Sequence, residues 1–149
     1  MIKLLDILKE MRVNPPKLTP LQLANQKVRD YIRNGEIGNL NLIGTPIKSL
    51  PPGLKVGGDL DLEDTPITSL PSGLKVRGYL DLSDTLITSL PPDLEVGRGL
   101  FLYNTPITSL PPDLKVGGNL NLSYTPLSKS HTKKQIRQMA PGVEGNIYM

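Results

Sequence analysis

The chain contains no cysteine, no tryptophan, one phenylalanine and one histidine. Each absence removes a class of function. Without cysteine there is no disulfide framework, no thiolate metal site and no thiol nucleophile. The same lack fits a reducing compartment, so a cytoplasmic protein is expected. The lone histidine, His131, stands at a helix start with no second imidazole near it and reads as a polar surface residue. No run of about 18 apolar residues occurs, so no membrane-spanning helix is expected. The opening MIKLLDILKE carries acids inside its apolar stretch and does not read as a signal peptide. Gly57-Gly58 is not followed by the Gly-Lys-Ser/Thr triplet of a phosphate loop. Neither an enzyme nor a cofactor or metal site is expected.

Charge of one sign is also missing as a continuous feature. The net charge is +3, but it divides unevenly. Residues 1–37 hold seven basic and four acidic residues, 38–128 six and nine, and 129–149 four and one. Basic ends flank an acidic middle, so the sequence carries no uniform nucleic-acid footprint. The row Lys55, Lys75, Glu95, Lys115 is broken by its acid, which argues against nucleic-acid binding along it and leaves the basic ends as the alternative site for a nucleic acid.

What is present is a repeat of 20 residues, in register without gaps. The units read NLNLIGTPIKSLPPGLKVGG from Asn39, DLDLEDTPITSLPSGLKVRG from Asp59, YLDLSDTLITSLPPDLEVGR from Tyr79 and GLFLYNTPITSLPPDLKVGG from Gly99. A partial fifth, NLNLSYTPLSKS, begins at Asn119. Pairs such as Leu60/Leu62 alternate with polar residues, the period of a strand with one face inward. Strands recurring in one direction at this interval predict a parallel ladder. Ile67, Leu70, Leu74 and Val76, with their equivalents, fill the coil from its other sides. Prolines at 51–52, 71, 91–92 and 111–112 exclude helix and predict an irregular back wall. Thr45, Thr65, Thr85, Thr105 and Thr125 are expected to bond the neighbouring coil's backbone. A parallel β-helix is the alternative fold.

The pattern LxLxxTxIxxLPxxLxV resembles the leucine-rich repeat, in its short bacterial form with an LPxxL back wall, over about residues 39–128. Where that family places Asn, this chain has Thr. The resemblance implies a repeat solenoid with its parallel β-sheet on the concave face. The compact form and the GNIYM ending are also similar to small repeat proteins of phage and bacterial genomes. That likeness implies a phage-encoded factor acting on a bacterial host or defence protein, in the host cytoplasm.

A lone coil cannot fold, so its stack needs lids. Residues 1–149 are read as a single domain: a helical N-terminal cap over 1–38, repeats over 39–128 and a C-terminal cap over 129–149. Thr19-Pro20-Leu21-Gln22 is a capping box opening a helix that stops at Gly35. Ahead of it, Leu4, Ile7, Leu8 and Met11 mark a shorter amphipathic helix, expected to pack on the cap rather than on a partner or membrane surface. Thr132-Lys133-Lys134-Gln135 opens one short C-terminal helix, and Gly145–Met149 echoes Gly118–Leu122, predicting a sixth strand. Its edge would be open to a second copy, giving a homodimer.

Function is expected on the residues between the inward leucines. The candidate protein-binding set is Asp59, Asp61, Glu63, Tyr79, Asp81, Phe101, Tyr103 and Tyr124. Aromatic residues beside acids have the composition of a binding hot spot; the alternative is cross-strand stacking that only supports the sheet. The acids, with Asp64 and Asp84, read as a solvated face, as an attractor for a basic partner, or as a divalent-cation site without calcium-loop spacing.

Overall fold

The computed structural model describes residues 3–13 and 15–149. Helix α1 spans Leu4–Val13 and α2 Pro20–Arg33. Ten two-residue strands follow: β1 (Leu40–Asn41), β2 (Lys55–Val56), β3 (Leu60–Asp61), β4 (Lys75–Val76), β5 (Leu80–Asp81), β6 (Glu95–Val96), β7 (Leu100–Phe101), β8 (Lys115–Val116), β9 (Leu120–Asn121) and, after α3 (Pro126–Ser130) and α4 (Lys133–Met139), β10 (Ile147–Tyr148).

The chain winds as a parallel solenoid. One sheet has six strands in the order β1-β3-β5-β7-β9-β10, the other four in the order β2-β4-β6-β8. Register follows the repeat: Leu40 faces Leu60, Leu60 faces Leu80, Leu80 faces Leu100 and Leu100 faces Leu120. Identical side chains therefore stack, and Leu62, Ile67, Leu74, Leu82, Ile87, Leu94, Leu102 and Leu114 are fully buried. The sixth strand lies where the GNIYM echo placed it, with Ile147 opposite Leu120.

Four expectations need correction. The Pro-rich back wall is present but not wholly irregular: just past each proline corner, Lys-Val or Glu-Val pairs form the second ladder. The threonines do not bond the next coil. Thr65 Oγ1 donates to Leu62 O of its own coil at 2.7 Å, as Thr85, Thr105 and Thr125 do to Leu82, Leu102 and Leu122. The hydroxyl thus satisfies a carbonyl where the chain turns out of the strand. Two helices rather than one follow β9: α3 starts at Pro126, inside the span read as repeats, because Thr125 caps it by accepting from Ser128 N. Finally, Leu4, Leu5, Ile7 and Leu8 are exposed, so these side chains of α1 do not pack on the cap; the Met11 side chain and Asn14 lie outside the described residues.

Helix α2 is the N-terminal lid. Its capping box is complete, with Thr19 Oγ1 accepting from Gln22 N and Gln22 Oε1 from Thr19 N. Ala24 and Val28 are buried in the core. Tyr31 Oη donates to Gly38 O at 2.8 Å and accepts from Gly57 N at 3.0 Å, tying lid to first coil. No helix among the described residues is long and apolar enough to cross a membrane.

Candidate protein-binding face

Strand alternation turns every second residue of the six-stranded sheet outward. The pairings place Asp61, Asp81, Phe101, Asn121 and Tyr148 in one row across five neighbouring strands. Beside it run Asn39, Asp59, Tyr79, Gly99 and Asn119, and on the other side Ile43, Glu63, Ser83, Tyr103 and Ser123. All eight candidate residues belong to the turns that carry this sheet, and they divide into an acidic half and an aromatic half.

In the acidic half, not every carboxylate is free. Asp59 Oδ1 accepts from Tyr79 N at 2.8 Å, the same bond that Asn39 Oδ1 makes to Asp59 N and Asn119 Oδ1 to Asn146 N. Asp59 therefore joins successive coils. Asp61 and Asp81 each commit one oxygen to the amide two residues on, Glu63 and Ser83, closing side-chain turns. Asp61, Glu63 and Asp81 still converge, each offering an oxygen within 4.8 Å of the others. Partial burial raises the Asp61 carboxyl above its ordinary range against the pull of the Glu63 amide, and Asp81 and Asp59 add to the rise. Desolvation and then Asp81, Asp61, Asp84 and Asp64 raise Glu63. Such crowding favours any cation brought to the patch.

The aromatic half is built around a glycine. Tyr79 lies across Gly99, where a Cβ would come within 3.1 Å of the ring, and reaches Phe101 at 5.9 Å between ring centroids. Arg98 stacks on Tyr79, its guanidinium carbon 5.6 Å from the centroid. Tyr103 and Tyr124 meet edge to face at 5.1 Å. The rings brace one another, yet Tyr79 stays 42% exposed, Tyr103 39% and Tyr124 65%. Tyr124 also sits at φ 62°, a left-handed conformation held in the equivalent turns by Gly44, Asp64, Asp84 and Asn104. For an aromatic residue this backbone is strained.

Sequence reasoning left out three features. Tyr148, 47% exposed, adds an aromatic to the outer row on β10, beyond Asn121; aligning GNIYM with GNLNL already put it at the Asn121 position. Leu86, 56% exposed, replaces the proline of the other coils and borders a recess of about 420 Å³ with Pro106, Tyr124 and Lys129. A groove of about 810 Å³ runs over the back sheet, lined in part by Ile37, Lys55, Lys75, Arg77 and Glu95. There Glu95 bridges Lys75 at 3.1 Å and Lys115 at 3.3 Å, and those two ammonium groups hold its carboxyl below the usual range. No known protein family, curated protein or solved structure matches the chain.

Proposed function

We propose that the chain is a non-enzymatic binding module, a leucine-rich-repeat solenoid that docks a partner protein on the outer face of its six-stranded sheet. The docking surface is centred on Asp61, Tyr79, Asp81, Phe101 and Tyr103, with Glu63 and Tyr124 at its margins and Asp59 holding the strands beneath. One observation carries the reading: Tyr79, Tyr103 and Tyr124 stand exposed on neighbouring coils, braced with one another and with half-buried Phe101, and Tyr124 sits on a strained backbone. Packing alone gives no reason to keep rings in solvent, whereas rigid aromatic anchors suit recognition because little side-chain freedom is lost on docking. The carboxylates beside them favour a partner presenting lysine or arginine. The likeness to phage repeat proteins and the absence of cysteine support a phage-encoded factor working in the host cytoplasm. Nucleic-acid binding has little support, since Glu95 neutralises the back-wall lysines on either side of it.

The test is affinity capture from a host lysate, with the wild type beside a Tyr79→Ala/Phe101→Ala/Tyr103→Ala variant. The expected result is loss of a retained protein from a variant that still unfolds cooperatively. Retention of the same proteins by both overturns the assignment.

A further inference from the structure

The buried polar side chains among the described residues are Thr65, Ser83, Thr85, Thr105 and Thr125. Each of the threonine hydroxyls donates to a carbonyl of its own coil. Ser83, only 8% exposed, is the exception. Its amide donates to Asp81 Oδ1 at 2.9 Å, but its hydroxyl has no hydrogen-bond partner among the described residues. Buried hydroxyls are normally satisfied, so this one calls for a ligand. No fully enclosed side-chain N or O atom among those residues lacks a partner. The Ser83 oxygen therefore opens onto the outer face of the six-stranded sheet.

The neighbours of that oxygen are acids. Bonds from Asp64 N to Ser83 O and from Asp84 N to Tyr103 O stack the coils, so Ser83 stands between Glu63 and Tyr103, two residues beyond Asp81. Asp61, Glu63 and Asp81 each present an oxygen within 4.8 Å of the other two. Asp61 and Asp81 are held in place because one oxygen of each accepts from an amide, of Glu63 and Ser83 respectively. Among the described residues no lysine or arginine pairs with any of the three; the ion pairs lie at Asp30 and Glu95. Part of the rise in the Asp61 and Glu63 carboxyls is repulsion by neighbouring acids, which a divalent cation cancels.

We propose that Asp61, Glu63, Asp81 and the Ser83 hydroxyl form a calcium site that joins the second and third coils. All four donors are oxygen, which selects a hard cation. Calcium holds its oxygens at about 2.3–2.6 Å, so ligands on opposite sides of one ion stand about 4.6–5.2 Å apart. Carboxylate oxygens within 4.8 Å of one another fit that shell. Magnesium, with oxygens at about 2.0–2.1 Å, spans only about 4.2 Å and demands a stricter geometry. Water completes the shell from the open side. The ligands come from two coils of the repeat, Asp61 and Glu63 from one, Asp81 and Ser83 from the next. Stacking alone assembles them, which is why no calcium-loop spacing is written in the chain. The site belongs to the chain by itself and stands whether or not the outer face docks a partner.

The test is calorimetric titration of chelator-treated protein with calcium chloride. Saturable binding is expected, with a dissociation constant on the order of 0.1–1 mM. Glu63→Gln and Asp81→Asn each remove a ligand charge and are expected to weaken binding about tenfold or more, and Ser83→Ala about threefold. Asp81→Asn keeps an oxygen for the Ser83 amide, as Asn121 does for Ser123, so folding is not at stake. Asp59→Asn keeps the bond between coils, as Asn39 does, and removes an acid outside the cluster; affinity is expected to change less than about twofold. Magnesium is expected to bind about tenfold more weakly than calcium. The Tyr79→Ala/Phe101→Ala/Tyr103→Ala variant keeps calcium binding, which separates this site from the docking of a partner. Absence of saturable binding, or no effect of Ser83→Ala, overturns the proposal. So does equal weakening by Asp59→Asn and Glu63→Gln, or equal affinity for the two ions, since either marks a diffuse acidic field rather than a site.

Discussion

Tyr124 shows how one residue can carry both a local cost and a surface role. Its left-handed backbone is where Asn104, Asp84 and Asp64 stand in the preceding coils, residues whose short polar side chains tolerate that region. Tyr124→Asn should relieve the strain but lose the edge contact with Tyr103, so the two terms oppose. In a Tyr103→Ala background the contact is already gone, and Tyr124→Asn is expected to stabilise by about 1 kcal/mol, read by urea denaturation. Asp61 offers a second case. Asn keeps the oxygen that accepts from Glu63 N, as Asn41 and Asn121 do in their own coils, and removes a charge crowded by Asp81. Asp61→Asn is expected to raise stability at neutral pH by roughly 0.5 kcal/mol. A carboxyl raised in the folded state binds its proton more readily there than when unfolded, so stability falls as pH rises through the raised range. The gain should therefore vanish below the ordinary carboxylate range. Glu95 acts in the opposite sense: its lowered carboxyl contributes stability above the ordinary range that is lost on acidification. The twenty-residue register made the outward positions of Asp61, Phe101 and Tyr103 legible. It did not reveal that Asp59 is bound by the Tyr79 amide, because a carboxylate on a strand reads as free charge until the next coil's backbone is placed.

Among the elements, the strand period and the capping boxes were written most plainly. Leu-x-Leu alternation gave the six-stranded sheet, and Thr19 with Gln22 gave the start of α2. The four-stranded back sheet was hidden because Lys-Val between proline and glycine is too short to display alternation; only stacking of successive coils makes it a strand. Helix α1 misled for a related reason, since an amphipathic pattern states that a helix has an apolar side and not what meets it. The lids are where single bonds matter most. Tyr31→Phe removes the hydroxyl that serves both Gly38 and Gly57, and is expected to cost about 1–2 kcal/mol. Hydrogen exchange should show the opening confined first to α2 and the first coil.

For the whole molecule, stability is a property of the stack, because each coil buries its leucines mainly against its neighbours. Leu82 is fully buried in the middle of that stack, and Leu82→Ala is expected to cost about 2–5 kcal/mol in thermal or denaturant unfolding. The same stacking turns twenty-residue duplication into surface. Near-identical coils keep the inside constant while outward positions change from amide to acid to aromatic, which gives a rigid face two unlike halves. Which partner the proposed docking face would take was not legible, since complementarity is a relation between two surfaces and the sequence holds one of them. The most direct measurement places a photo-crosslinking amino acid at Phe101 on the outer face or at Lys115 on the back wall, followed by irradiation in host lysate. The account predicts a discrete adduct from position 101 and none from position 115; an adduct from 115 with none from 101 would contradict it.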